Sequence, residues 1–153
     1  MQQDRPGTVC DHCPLVAGGA TMTDDSNKPG WWQNMKFSII YEAQMVDTSP
    51  ESEQRCFLEC VEQAVYAEKM GFDTVWAVEH TALTQYAHMS APETFLAYLA
   101  GRTTTLGIGH GVVCLPPAMN HPVKVAERIA TLDLLSEGRV EFGVGKGGTQ
   151  QEA

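Results

Sequence analysis

The chain has 153 residues, 43% hydrophobic and 19% charged, with a formal net charge of −9 at pH 7. That length suits one ordinary core, and the acidic balance excludes nucleic acid as a partner, because phosphates demand a basic surface. No run approaches the roughly 20 apolar residues that cross a bilayer, and residues 1–34 lack the basic start and apolar stretch of a secretory signal, so the expectation is a cytoplasmic protein without a membrane partner.

Residues 1–34 are rich in Gly, Pro, Asp, Asn and Thr and carry no periodic apolar pattern. Such a stretch buries too little surface to offset the entropy of ordering it. It is expected to be a disordered N-terminal extension, with Met35 a natural start for a domain spanning 35–153. Within the extension, Cys10-Asp11-His12-Cys13 forms a CxxC. A zinc site would require two further ligands at matching spacing, and no second CxxC follows. Cys56, Cys60 and Cys114 read as reduced, buried small hydrophobes.

From Met35 the pattern alternates. Phe37 to Tyr41 is a short apolar strand. Thr48-Ser49-Pro50-Glu51 offers a capping Thr, a proline in the first turn and a Glu three residues after the cap. The helix that follows carries Phe57, Leu58, Val61, Ala64, Val65 and Ala67 at three-to-four spacing, and Gly71 ends it. Phe72 to Val78 is the second strand. Ser90-Ala91-Pro92-Glu93 reads as another capping box, opening a helix through Leu99 that stops at Gly101. Thr104 to Leu115 is the third strand. Asn120-His121-Pro122 opens a third helix bearing Val125, Ile129, Leu132 and Leu135, Gly138 closes it, and Arg139 to Val144 is the fourth strand.

Strands alternating with helices indicate parallel βαβ units. Periodicity leaves two architectures open, an open doubly wound sheet or half of a closed barrel. A dinucleotide-binding sheet would want G-x-G-x-x-G after its first strand, and Tyr41-Glu42-Ala43-Gln44-Met45 stands there instead. In a β/α barrel the chemistry lies just past the strands. Those positions are Glu42 and Gln44, then Glu79 and His80, then His110 to Val113, then Gly145, Lys146 and Gly147. They supply carboxylates, an imidazole able to give and take protons, and a glycine-rich run whose amides can approach an anion.

Three blocks carry a family likeness. Gly71-Phe72-Asp73-Thr74-Val75-Trp76-Ala77-Val78-Glu79-His80 resembles the second-strand motif of the bacterial-luciferase-like, flavin-dependent monooxygenases. Gly107-Ile108-Gly109-His110-Gly111-Val112-Val113-Cys114-Leu115-Pro116, with His121-Pro122-Val123, resembles their third strand. Leu132-Asp133-Leu134-Leu135-Ser136-Glu137-Gly138-Arg139 with Phe142-Gly143-Val144-Gly145-Lys146-Gly147 resembles their third helix and fourth strand. The likeness covers Met35 to Ala153 in the family's order.

The resemblance implies an α/β fold of the (β/α)8 TIM-barrel type, with only the first four β/α units present in this chain. It implies an oxidoreductase in which reduced FMN, supplied by a separate flavin reductase, and O2 oxidise a small apolar organic substrate. It assigns catalysis to His80, with Glu79 orienting it, and cofactor binding to His110, Gly111, Val112, Gly145 and Lys146. It further implies a non-prolyl cis peptide at Gly111-Val112 beneath the flavin ring, and a dimer at full length. Three positions depart from the pattern. Thr81 stands where luciferases carry a second histidine, which argues against light emission, and Gly145 stands at the family's reactive-cysteine position. Lys146 replaces an arginine, keeping the charge but losing the bidentate fork.

A complete barrel needs eight strands and roughly 250 residues, whereas this chain ends soon after the fourth strand. The expectation is therefore a truncated or fragment form of a flavin monooxygenase. Two alternatives remain. One is a non-catalytic half-barrel whose open edges make it a dimerising interaction module. The other is a deazaflavin-dependent hydride-transfer oxidoreductase. The substrate stays open: Tyr86, Met89, Phe95 and Tyr98 could line an apolar pocket, but residues so spaced are more often core.

Overall fold

The structure is a computed structural model that describes residues 35–83 and 85–148. The expected extension 1–34, its Cys10–Cys13 pair and residues 149–153 lie outside the described residues. The elements run β1 (Ser38–Tyr41), α1 (Pro50–Lys69), β2 (Thr74–Ala77), α2 (Pro92–Ala100), β3 (Gly107–Cys114), α3 (Pro122–Leu135) and β4 (Val140–Gly145). All neighbouring strands are parallel, and their spatial order is β1-β2-β3-β4. A doubly wound sheet reverses strand order at a switch point. Here the order never reverses, which is how the wall of a β/α barrel is built. No helix among the described residues is long and apolar enough to cross a membrane.

The alternation of each strand sorts its side chains between two faces. Val75 and Ala77 of β2 and Ile108 of β3 are fully buried against Ala64 of α1 and Leu96 and Leu99 of α2. Leu132 of α3 joins the same core. Cys56 is half-buried and Cys60 and Cys114 are buried, all as thiols. Burial pushes the Cys60 thiol up to about 12, with the neighbouring Cys56 adding to the shift. Cys60 is therefore an inert packing residue.

The local signals differ from expectation at the helix starts. α1 is capped by Ser49 rather than Thr48: the Ser49 hydroxyl accepts from the Ser52 amide at 3.3 Å. Asp47 fixes that cap by accepting from the Ser49 amide, the Ser49 hydroxyl and the Ser52 hydroxyl. Helix α2 starts without a capping box, since its N-cap is Ala91 and makes no side-chain bond. The N-cap of α3, His121, makes none either. Both helices instead begin on a proline, which brings a helical φ and has no N–H to satisfy.

The helix ends follow expectation more closely. After α1, the Gly71 amide donates to the Glu68 carbonyl at 3.1 Å and the Phe72 amide to the Ala67 carbonyl at 3.0 Å. This is a Schellman closure with glycine at the left-handed position, φ +83°. α3 closes the same way, the Gly138 amide reaching Asp133 at 2.9 Å. There, however, the left-handed residue next to the cap is Glu137, φ +59°. A side chain in that region costs about 1–2 kcal/mol. Glu137→Gly is therefore expected to stabilise the protein by about 0.5–1 kcal/mol net of glycine's unfolded-state entropy, read as a higher urea midpoint. A lower midpoint would contradict this reading of the cap.

β3 begins later than expected because Glu68 of α1 takes the preceding amides. One oxygen of Glu68 accepts from the amides of Thr104, Thr105 and Leu106 at 2.7, 2.6 and 3.0 Å, and from the Thr105 hydroxyl at 3.1 Å. Partial burial raises its pKa, but the amides of Thr105, Thr104 and Leu106 and the hydroxyl outweigh that and hold the carboxyl at about 2. A depressed carboxyl contributes stability above its unfolded pKa and loses it as pH falls through the folded value. Glu68→Gln is thus expected to lower stability by about 1–2 kcal/mol at neutral pH. The difference from the wild type should shrink between roughly pH 4 and pH 2. Urea titrations of both proteins across that range check it, and a difference independent of pH would count against the carboxylate.

Candidate active site at the strand ends

On the face of the sheet turned away from the helices, β3 and β4 present mostly glycine, with Glu141 beside Gly109 accepting from the Thr74 hydroxyl at 2.9 Å. A Cβ built on Gly109 would lie 2.5 Å from Cε3 of Trp76, so the indole leans over β3. A Cβ on Gly111 would meet the same indole at 3.4 Å. On β4, a Cβ at Gly143 would come within 2.5 Å of the His110 carbonyl oxygen, and one at Gly145 would strike Cγ2 of Val112. Gly109 is buried beneath the indole, while Gly111, Gly143 and Gly145 stay partly exposed and form a narrow glycine floor, bordered by Trp76 on one side and Val112 on the other.

The pairing of β3 with β4 shifts within this floor. His110 pairs with Phe142, but Val113 pairs with Val144, so β3 holds one more residue than its partner between those points. The bulge contains the Gly111-Val112 peptide, which is cis. The resemblance implied that geometry at this bond.

Beyond β1 and β2 a polar cluster forms. Oε2 of Glu42 accepts from the Tyr86 hydroxyl and from Nε2 of Gln44, both at 2.6 Å. Tyr86 presents its ring edge-on to His80, with centroids 6.2 Å apart. The His80 amide donates to the Met89 carbonyl at 3.0 Å, which fixes the backbone just past β2. Glu42, Gln44, His80 and Tyr86 therefore share one end of the sheet, at the C-terminal ends of the strands.

Glu79, expected to orient His80, has its two oxygens bonded to other groups. Oε2 accepts from the Cys114 amide at 2.7 Å and Oε1 from Nδ2 of Asn120 at 2.8 Å. Asn120 also donates to the Cys114 carbonyl at 2.9 Å and accepts from Arg128 at 3.0 Å. Glu79 thus ties the end of β2 to the end of β3, and Asn120 locks that tie.

His110 requires correction as a cofactor ligand. Its ring is 1% exposed and lies on the helix face of β3, in a small cavity with Glu93 of α2 and Val125 and Arg128 of α3. Gly109 and Gly111 border the opposite face. Burial drives its pKa down to about 4, with Arg128 pushing the same way and Glu93 opposing. The imidazole is therefore neutral near pH 7 and is separated by the sheet from any ligand on the glycine floor. Strand alternation carried this signal: His110 is two residues from the core residue Ile108 and shares its face.

The remaining candidates fall in two groups. Gly145 ends β4 on the floor, and Lys146 follows it, exposed, next to Gly147 at φ +83°. Of the residues considered for a substrate pocket, Met89 and Phe95 are core, and Tyr98 is exposed on α2 where its hydroxyl accepts from Arg102. Tyr86 alone reaches the strand-end cluster. Tyr86 was considered only for an apolar pocket, and Trp76 and Asn120 were not singled out as site residues by sequence reasoning. Trp76 could have been, because it faces opposite the apolar Val75 and Ala77 on a strand expected to be buried. Tyr86 lies in an aperiodic loop that gives no such signal.

These residues fit a flavin. A planar ring can rest on the partly exposed backbone of Gly111, Gly143 and Gly145, and Lys146 sets a cation one residue past β4. The polar cluster adds an imidazole, a phenol and a carboxylate at the same strand ends.

Comparison with known proteins points the same way. The family described as luciferase-like monooxygenase matches residues 35–153. The chain is 36% identical to the luciferase-like monooxygenase of Escherichia coli (strain K12), over 74% of this chain and 32% of that protein. It is 41% identical to the alkanal monooxygenase alpha chain of Photorhabdus luminescens, over 53% of this chain and 22% of that one. The oxygenating constituent of 3,6-diketocamphane monooxygenase from Pseudomonas putida, a type II Baeyer-Villiger monooxygenase solved in complex with FMN, superposes with a TM-score of 0.68 and 27% identity, covering 76% of this chain and 31% of that chain. The chain thus spans between about a fifth and a third of the length of these relatives. With that family match, an unreversed parallel sheet and a glycine floor at its strand ends, the chain belongs to the luciferase-like monooxygenases and forms part of their barrel.

Proposed function

We propose that this chain forms part of a flavin-dependent monooxygenase in which reduced FMN and O2 oxidise a small apolar organic substrate. The observation that carries the proposal is the flat glycine floor of β3 and β4, lying beside the Glu42–Tyr86–His80 cluster in a member of this family. Reduced FMN, when bound, supplies the oxygen-activating chemistry. The chain's own residues do the rest. Gly111 and Val112 would hold the flavin ring through their backbone, and Lys146 would offer its ammonium to the phosphate. His80 holds and moves a proton at its imidazole. Glu42 and Gln44 fix the Tyr86 hydroxyl beside it, and Glu79 keeps the ends of β2 and β3 in register.

The reading extends to the whole protein: a cytoplasmic dimer that receives reduced FMN from a separate reductase. The native protein should consume oxygen when given reduced FMN and an apolar carbonyl or hydrocarbon substrate. Hydride transfer with a reduced deazaflavin, without oxygen uptake, would replace this reading with the deazaflavin one. Neither activity, together with a defined oligomer in sedimentation, would favour the interaction module.

A further inference from the structure

Behind β3 lies a small polar cavity around His110, a residue that the proposed chemistry does not use. It is lined by Glu79, Glu93, His110, Asn120, Val125 and Arg128, among others, with a volume of about 10 Å³. Both His110 ring nitrogens are buried, and neither has a hydrogen-bond partner among the described residues. A neutral imidazole has one N–H to donate and one lone pair to offer, and a buried polar atom left without a partner destabilises the fold.

The walls of the cavity supply the complementary groups. Arg128 pairs with Glu93 at its outer end and donates to Oδ1 of Asn120. Asn120 in turn donates to Glu79 and to the Cys114 carbonyl, and the Cys114 amide donates back to Glu79. An unbroken chain of hydrogen bonds thus runs from a half-exposed ion pair to the carboxylate beside His80. The volume sits at the lower limit that accommodates one water, and polar walls of this kind hold such a water with two to four bonds.

We propose that this cavity binds a single ordered water that joins the His110 imidazole to the Glu79–Asn120–Arg128–Glu93 chain, making His110 and Asn120 positioning residues for Glu79. An apolar residue at position 110 would bury the same area without the bridge, so the histidine has a polar task. The water site stands on the cavity itself. Only its relevance to catalysis rests on the flavin reading of the strand ends.

Nuclear magnetic resonance on the native, isotopically labelled protein tests it without any substitution. One His110 ring nitrogen should carry a slowly exchanging proton throughout the neutral range, with cross-relaxation to a long-lived water. A ring that titrates like an exposed histidine, or exchanges its proton as fast as one, would overturn the water site. The positioning claim is read at the Cys114 amide. Asn120→Ala should speed its hydrogen exchange about tenfold, the scale of one lost hydrogen bond, and shift its amide resonance, while the amides of β1 stay unchanged. Arg128→Met, which removes the bonds to Glu93 and to Oδ1 of Asn120 but leaves Asn120 bonded to Glu79, should produce a smaller change in the same direction. Unchanged Cys114 exchange in both variants would overturn the positioning role. FMN binding measured on the same samples separates the two ideas: intact His110 signals without FMN binding would strike the flavin reading and leave the water site standing.

Discussion

Arg139→Ala is expected to destabilise the protein by about 3–5 kcal/mol. The guanidinium donates five hydrogen bonds in one place. Nε reaches the Ser136 carbonyl at 2.7 Å, Nη1 reaches the Thr103 hydroxyl and the Leu106 carbonyl at 2.9 Å, and Nη2 reaches the Ala100 and Thr103 carbonyls at 2.9 and 3.3 Å. Those acceptors come from the end of α2, the loop into β3 and the cap of α3. One planar group therefore satisfies carbonyls that two helix ends would otherwise leave orphaned. Arg139→Lys keeps the charge but has a single nitrogen to offer, so it should recover less than half of the loss. Urea denaturation at neutral pH measures both variants. A loss below about 1 kcal/mol for the alanine variant would mean that water replaces the guanidinium without cost, against the burial of these carbonyls.

His80→Ala is expected to lower turnover of the native monooxygenase by about 10²–10⁴-fold while leaving FMN binding intact. The reasoning is positional. His80 follows β2, its backbone is fixed to Met89, and its ring meets Tyr86, whose hydroxyl is held by Glu42. The floor that would carry the flavin lies on β3 and β4 and does not include this ring. Loss of the imidazole should therefore strike proton handling and spare cofactor affinity. His80→Gln, which restores hydrogen bonding but not proton transfer, should remain slow. A turnover reduced less than about tenfold in both variants would remove His80 from the chemistry.

The legible and illegible parts of this protein divide along physical lines. The seven elements could be read from the chain because the 3.6-residue period of α1 and α3 and the short apolar runs of the strands are local properties. The glycine that ends α1 was equally local. The barrel wall was legible only through the family resemblance, because strand order depends on which neighbours pair and periodicity is silent on pairing. N-caps were misassigned for a related reason. Ser49 caps α1 because Asp47 orients it, and Asn120 does not cap α3 because Glu79 and Cys114 claim its side chain across a separation of 41 and 6 residues. The same competition explains Glu79, whose partners are Cys114 at the end of β3 and Asn120 ahead of α3.

The site shows a similar division. The resemblance directed attention to Glu79, His80, Gly111, Val112, Gly145 and Lys146, and the fold gathers these at one end of the sheet. His110 was misread because a motif names positions, not faces, and the alternation from Ile108 to His110 was the better guide. The roles of Gly143 and Gly145 became visible only with Val112 packed against them, since the bulge that brings Val112 there leaves no mark on the composition.

The central claim is that the glycine floor carries a flavin, and a crystal structure of the native protein with FMN tests it most directly. The account predicts the ring system lying on the backbone of Gly111 and Val112, with its phosphate turned toward Lys146. FMN bound elsewhere, or a floor closed by the Trp76 indole with no flavin at saturating concentration, would contradict it.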